Sequence, residues 1–286
     1  MTTTATVNVR GRVQRFVAAL DTHERTAAPV ADPRQRRGLR VETLIVLGVS
    51  LGSSAVYSVL QIIDKLTRAA PLSAQTTSMN NSQTPDRPWL DLAYQLVNIA
   101  MPLVPVLLAL YLLGHVARPA VGVRAGRFIG LDRREPGRDL ARGAALAALI
   151  GIPGLGLYLL AKALGVNTQV AAANLTAVWW AAPVLVLAAV GNAVLEEVVM
   201  VGYLLTRWRQ TGWSWPLAIG LSAVIRGSYH LYQGFGGFVG NIAMGLILGV
   251  VFARTRRVMP LVVCHTLLDV VAFVGYTLLR ANGVSL

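Results

Sequence analysis

Long apolar runs separated by short arginine-rich segments dominate the chain. An α-helix needs about 20 consecutive apolar residues to cross the hydrocarbon core of a bilayer. Seven runs come close to or exceed that length, at about residues 41–63, 90–113, 140–161, 175–205, 215–233, 237–253 and 258–279. The fourth run is longer than a bare crossing requires, so we expect it to tilt or to project beyond the membrane. The pattern predicts an all-α polytopic membrane protein, a bundle of about seven transmembrane helices.

The remaining segments suggest a two-part domain organisation. Residues 1–40 are polar and rich in arginine, and they predict a flexible tail with a short amphipathic helix near Val13–Leu20. Their length and charge do not fit the front of a cleavable signal peptide, so the first apolar run is interpreted as a retained span. The transmembrane domain then covers residues 41–286. Within it, Thr67–Pro88 is rich in Ser, Thr, Asn, Gln and Pro, which predicts an exposed loop.

The placement of basic residues predicts the orientation of the bundle. Arginines crowd the segments after the second, fourth and sixth runs, whereas the other connecting segments hold few basic residues. The arginines concerned are Arg118, Arg124, Arg127, Arg133, Arg134, Arg138, Arg207, Arg209, Arg254, Arg256 and Arg257. Because positive loops stay in the cytoplasm, this pattern predicts a cytoplasmic N-terminus, an outer C-terminus and a multi-pass protein of the cell membrane.

The composition agrees with a membrane protein and argues against a nucleic-acid partner and against cysteine-based structure. Hydrophobic residues make up 55% of the chain and charged residues 14%, against roughly 45–50% and about 25% in soluble domains. The formal net charge of +13 does not predict a nucleic-acid partner, because the arginines cluster in the loops as topology signals. A single cysteine, Cys264, excludes an internal disulfide and a multi-cysteine metal site.

Acidic residues are scarce where the chain is most apolar. After Arg142 the chain contains only three, Glu196, Glu197 and Asp269, and all three lie inside predicted spans. A carboxylate at membrane depth costs roughly 2.5–3.5 kcal/mol on insertion scales, and ionisable residues there are usually functional. The acids and the two histidines of the same region, His230 and His265, are therefore the candidate functional core.

The spacing of the candidate residues places pairs of them on common helix faces. Three spans each carry two polar residues one helical turn apart: Asn192 with Glu196, Arg226 with His230, and His265 with Asp269. Glu196 and Glu197 are adjacent, so their side chains point roughly 100° apart and cannot both face one partner. We expect the three polar stripes to meet in the interior of the bundle, since none can face lipid.

Such a set of groups has the chemistry to hydrolyse a peptide bond. A carboxylate and a histidine can activate water, and a further histidine can stabilise the oxyanion that forms. The His-Glu-x-x-His spacing of zinc proteases, the Gly-x-Ser-x-Gly elbow and the P-loop are all absent from the sequence. Two alternatives remain open: a catalytically inactive scaffold or immunity-type protein, and a proton-coupled transporter.

Three motifs resemble those of the CPBP family of intramembrane proteases, which includes the CAAX prenyl endopeptidase. The family pattern Glu-Glu-x-x-x-Arg corresponds to Glu196-Glu197-Val-Val-Met-Val201, and Phe-x-x-x-His corresponds to Arg226-Gly-Ser-Tyr-His230. The pattern His-x-x-x-Asn/Asp is matched by His265-Thr-Leu-Leu-Asp269. The resemblance covers about Val190–Val274, within a CPBP-like region at about residues 175–279.

The resemblance implies a role for each motif residue. Glu196 is the general base with His230 as its partner, while His265 and Asp269 stabilise the oxyanion. Some accounts of the family instead make such residues ligands of zinc, which implies a site at Glu196, His230, His265 and Asp269. The implied substrate is a membrane-associated peptide or protein. Lysine occurs only at positions 65 and 162, a usage common in GC-rich bacterial genomes. Because bacteria generally lack prenylated substrates, a membrane-inserted peptide, signal remnant or leader peptide is expected in preference to a prenylated one.

Two positions depart from the family pattern in a way that suggests compensation. Val201 stands where the family has arginine, and Arg226 stands where it has phenylalanine. We hypothesise that the guanidinium has moved from the fourth span to the fifth, where it still neutralises Glu197. An unpaired buried charge would be untenable. The alternative is that the site has lost catalysis and kept a polar scaffold.

Replacing Arg226 with leucine should therefore damage folding or activity as severely as replacing Glu197 with glutamine, because either change leaves a buried ionic group without its partner. Purified yield, thermal unfolding and peptidase activity of the two variants provide the comparison. Wild-type behaviour of R226L would contradict the compensation.

Overall fold

The computed structural model describes residues 28–116, 125–175 and 177–282, and most of these are helical. The first half contains α1 (Pro33–Leu47), a π-helical segment (Gly48–Gly52), α2 (Ser53–Leu66), a 3-10 turn (Leu72–Ala74), β1 (Thr76–Ser78), α3 (Pro88–Ala100), α4 (Leu103–Val116) and α5 (Ala125–Phe128). The second half contains α6 (Pro136–Ala163), β2 (Gln169–Ala171), α7 (Ala181–Glu196), a second π-helical segment (Glu197–Tyr203), α8 (Leu204–Gln210), α9 (Trp215–His230), a 3-10 turn (Leu231–Gln233), α10 (Phe235–Thr255) and α11 (Met259–Ala281). The prediction of an all-α membrane protein is confirmed.

Six helical stretches in the described ranges are long and apolar enough to cross a membrane, one fewer than predicted. They are Pro33–Leu66, Pro88–Gly114, Pro136–Ala163, Ala181–Gln210, Phe235–Thr255 and Met259–Ala281. The predicted span at 215–233 is the exception, because its helix, α9, has only 16 residues. At 1.5 Å per residue such a helix reaches about 24 Å, short of a hydrocarbon core of about 30 Å.

The early end of α9 is explained by the turn that follows it. Gly234 has a φ of 117°, which a residue with a side chain rarely adopts, and a Cβ there would lie 2.6 Å from the Cα of Asn167. The backbone N–H of Gly234 donates to the carbonyl of Leu231 at 2.9 Å and closes the turn. The chain therefore reverses at this point into α10, against which α9 packs.

One end of the bundle, here called the arginine end, gathers the basic segments. The guanidinium groups of Arg209 and Arg256 lie 5.2 Å and 5.0 Å from the ring centre of Trp215. These contacts bring the α8–α9 and α10–α11 connections together. The backbone N–H of Val258 also donates to the carbonyl of Ile129 at 2.8 Å, which holds the segment after α5 at the same end.

The opposite end, here called the sheet end, is closed by a two-stranded parallel sheet. β1 pairs with β2 in the register Thr76↔Gln169 to Ser78↔Ala171. The ammonium of Lys65 donates to the carbonyl of Tyr232 at 2.7 Å and so ties α2 to this end. The segment predicted as an exposed loop is therefore partly buried, with Thr77 only 4% exposed, because its backbone pairs with a distant part of the chain.

The predicted tail is described only in part. Residues 1–27, with the helix expected near Val13–Leu20, lie outside the described residues. The first helix begins at Pro33, inside the stretch predicted as tail, because Asp32 accepts a hydrogen bond from the backbone N–H of Arg34 at 2.9 Å and caps it.

Close packing of α9 on α10 depends on Gly227. A Cβ there would lie 2.7 Å from Ile242 Cγ1 and 2.9 Å from the carbonyl oxygen of Phe238, whereas a Cβ at Gly220 on the same helix would meet nothing within 4 Å. Alanine at position 227 should therefore destabilise the protein by about 1–3 kcal/mol through overpacking. Alanine at position 220 should be neutral or slightly stabilising, because it improves helix propensity by up to about 1 kcal/mol.

Thermal unfolding of G227A and G220A in detergent tests this packing. Equal unfolding temperatures for the two variants would show that the helices are not in the close contact described.

Candidate active site

The two adjacent glutamates lie where the α7 helix changes its hydrogen-bonding pattern. Glu196 is the last residue of α7, and Glu197 begins the second π-helical segment, in which every residue is buried. A π-helical turn disturbs the usual hydrogen-bond ladder, and such turns occur frequently at functional sites. Here a neighbouring helix contributes a donor, since the hydroxyl of Ser222 on α9 donates to the carbonyl of Met200 at 2.8 Å.

Glu197 forms a buried ion pair with Arg226. The guanidinium Nη2 of Arg226 donates to Glu197 Oε1 at 2.5 Å, and the two side chains are 1% and 0% exposed. Val201, at the family's arginine position, packs instead in the main hydrophobic core. The predicted pairing of Arg226 with Glu197 is confirmed, and the positive charge is supplied by α9.

His265 on α11 contacts the same carboxylate oxygen. Its Nδ1 lies 2.8 Å from Glu197 Oε1, so the ring donates to the carboxylate through Nδ1. Its other nitrogen, Nε2, lies 3.7 Å from Asp269 Oδ1, which is longer than a hydrogen bond. Glu197 thus joins the second π-helical segment to both α9 and α11.

Glu196 faces Tyr229 and His230, yet it also shares Arg226 with Glu197, so the expectation that the two glutamates cannot face one partner is wrong for Arg226. The hydroxyl of Tyr229 donates to Glu196 Oε2 at 2.7 Å. Arg226 Nη2 lies 3.7 Å from the same oxygen, and His230 Nε2 lies 3.7 Å from Glu196 Oε1. The Glu196 and His230 side chains are 10% and 16% exposed, whereas the His230 Nε2 atom itself is buried and has no hydrogen-bond partner among the described residues.

The remaining predicted residues lie at the margins of this arrangement. The side chain of Asn192 on α7 lies close to the Asp269 carboxylate on α11. The Asp269 side chain is 20% exposed, more than the other acids of the cluster. His230 Nδ1 lies 3.4 Å from the amide nitrogen of Gln233, so the turn at the sheet end contacts the site directly.

The structure brings all five candidate residues into one cluster, with each histidine beside a different glutamate. Tyr229 was missed by the sequence reasoning, whose candidates were charged residues, histidines and Asn192. A signal was available, because Tyr229 is three residues after Arg226 and shares its helix face.

The cluster in this arrangement does not form a metal site. Among the described parts of the chain, no group of three or more His, Cys, Asp or Glu side chains is placed to hold a metal ion. His265 Nδ1 is engaged by Glu197, and the Arg226 guanidinium lies beside both glutamates, where it supplies the positive charge. A zinc ion shared by Glu196, His230, His265 and Asp269 would therefore require these groups to rearrange.

Comparison with known proteins identifies one family. Residues 178–271 match the family described as type II CAAX prenyl endopeptidase Rce1-like. This segment contains all three motifs and every residue of the cluster. No curated protein and no solved structure gives a significant match to the chain. The family match over this segment confirms the resemblance to CAAX-type proteases that was predicted from the three motifs.

Proposed function

We propose that the protein is an intramembrane endopeptidase that hydrolyses a peptide bond of a membrane-associated substrate with a water activated by Glu196 and His230. The family match supports the general activity of a CAAX protease-like endopeptidase. The observation that carries the mechanism is the 3.7 Å separation between Glu196 Oε1 and His230 Nε2. It is too long for a direct hydrogen bond, so both atoms remain available to hold one water that lies beside them.

In this mechanism Glu196 acts as the general base. It removes a proton from the water as the water oxygen bonds to the carbonyl carbon of the substrate. The tetrahedral intermediate then collapses, the carbon–nitrogen bond breaks, and Glu196 returns the proton to the departing amine. Arg226, 3.7 Å from Glu196 Oε2, favours the ionised carboxylate that the first step needs.

Stabilisation of the oxyanion is assigned to His265, as the family resemblance implies. An ionised aspartate only accepts hydrogen bonds, so Asp269 is assigned to orienting His265 and not to donating to the substrate. Because Nδ1–H of His265 already donates to Glu197, stabilising the oxyanion requires an imidazolium, whose Nε2–H is not hydrogen-bonded to Asp269 Oδ1 at 3.7 Å and can donate to a substrate oxygen. Glu197 serves as the anchor that holds His265 through Nδ1.

The proposed substrate is a membrane-inserted or leader peptide that reaches the site from the bilayer. We further propose that the arginine end faces the cytoplasm of a cell membrane, which places the N-terminus there. Zinc takes no part in this mechanism, because the side chains of the cluster would have to rearrange to hold it.

The alternatives of an inactive scaffold and a proton-coupled transporter are less well supported. A scaffold does not require the His230 ring to face the Glu196 carboxylate at 3.7 Å without a direct hydrogen bond. A transporter is expected to place its acids along a path through the membrane, whereas Glu196, Glu197 and Asp269 lie in one cluster.

A library of hydrophobic peptides, offered to the purified protein in detergent or liposomes, tests the proposal. Loss of the base should lower hydrolysis by E196A by about 10²–10⁴-fold. E135A is the matched control, because Glu135 lies on the surface with a side chain 35% exposed. Measuring hydrolysis with a metal chelator present tests for a zinc requirement, and the mechanism predicts that the activity is retained. Equal activity of wild type and E196A would favour the scaffold.

A further inference from the structure

Helix α9 supplies a third group to the site besides Arg226 and His230. Tyr229 is 5% exposed, and its hydroxyl donates to Glu196 Oε2 at 2.7 Å. A buried tyrosine hydroxyl usually has a hydrogen-bond partner, so the contact alone does not establish a role in catalysis. A role is indicated because the hydroxyl bonds one oxygen of Glu196 while the other oxygen faces His230.

The two oxygens of Glu196 face different surroundings. Oε2 takes the Tyr229 hydroxyl and is the oxygen within 3.7 Å of Arg226, while Oε1 faces His230 Nε2. The last torsion of a glutamate side chain is soft, so the carboxylate plane is not fixed by its own covalent geometry. Arg226 at 3.7 Å is beyond hydrogen-bond distance of Oε2, whereas the Tyr229 hydroxyl donates to it directly at 2.7 Å. The hydroxyl is therefore the group that fixes which way the plane turns.

We propose that Tyr229 is a positioning residue that holds Glu196 with Oε1 directed at His230 and the attacking water. This inference rests on the proposed function, since it assigns to Tyr229 the alignment of the general base. Removal of the hydroxyl frees the carboxylate to rotate, which misplaces the base relative to the water. KM is expected to stay unchanged, because the Tyr229 hydroxyl is occupied by its hydrogen bond to Glu196.

A second tyrosine provides a matched control at a distance from the site. Tyr203 is fully buried, and its hydroxyl donates to Glu42 Oε1 at 2.8 Å, near the arginine end. Y229F and Y203F each remove one hydroxyl from a buried tyrosine–carboxylate hydrogen bond. A merely structural role for Tyr229 would make the two variants behave alike.

The experiment measures kcat, KM and the unfolding temperature of full-length wild type, Y229F, Y203F and E196A, on a peptide that the wild type cleaves. Y229F should lose about 100-fold in kcat with an unchanged KM, the size of effect that a misplacement of about 1 Å produces. Y203F should unfold at a similarly lowered temperature and keep its kcat. A wild-type kcat in Y229F, with E196A inactive, would overturn this inference alone. Equal hydrolysis by wild type and E196A would overturn the proposed function and this inference together.

Infrared spectroscopy gives a second test that does not require Y229F to fold. The difference spectrum between wild type and E196Q isolates the carboxylate stretching bands of Glu196. Bands of a carboxylate hydrogen-bonded at one oxygen would support the proposal, and bands of a symmetric, free carboxylate would overturn it.

Discussion

The structure depends on how one fully buried carboxylate is neutralised. Glu197 is 0% exposed, and a charge in that position is tolerated only with partners of complementary charge or hydrogen-bonding capacity. Arg226 and His265 share its Oε1, so the second π-helical segment, α9 and α11 must converge on one point. Once Glu197 is fixed in this way, Glu196 is directed to a different side and meets Tyr229 and His230. In the proposed mechanism, the anchor Glu197 and the base Glu196 are thus two consecutive residues with separate tasks.

Much of this arrangement could be predicted from the sequence because the membrane limits the choices. Long apolar runs must become helices, and ionisable groups in them must face one another. The pairing of Arg226 with Glu197 followed from the same reasoning, since Val201 could not neutralise the glutamate. The resemblance to the family motifs then implied that Glu196, and not Glu197, is the general base.

The features that could not be predicted depend on contacts between distant segments. The π-helical turn at Glu197 has no signature in local propensity, and Ser222 of another helix helps to satisfy its carbonyls. The pairing of β1 with β2 joins segments about ninety residues apart, as in Thr76↔Gln169, so the composition of the first segment suggested only a loop. His265 and Asp269 share a helix face as predicted, yet they stand 3.7 Å apart because the other ring nitrogen of His265 is drawn to Glu197.

The most direct test of this account is a double-mutant cycle between Glu197 and Arg226, measured as the free energy of unfolding in mixed micelles. E197L and R226L should each lose about 3–5 kcal/mol, since each leaves a buried charge unpaired. The double variant E197L/R226L should lose clearly less than the sum, with a coupling energy of about 1–3 kcal/mol. Losses that add within about 0.5 kcal/mol would contradict the account, because independent sites behave in that way.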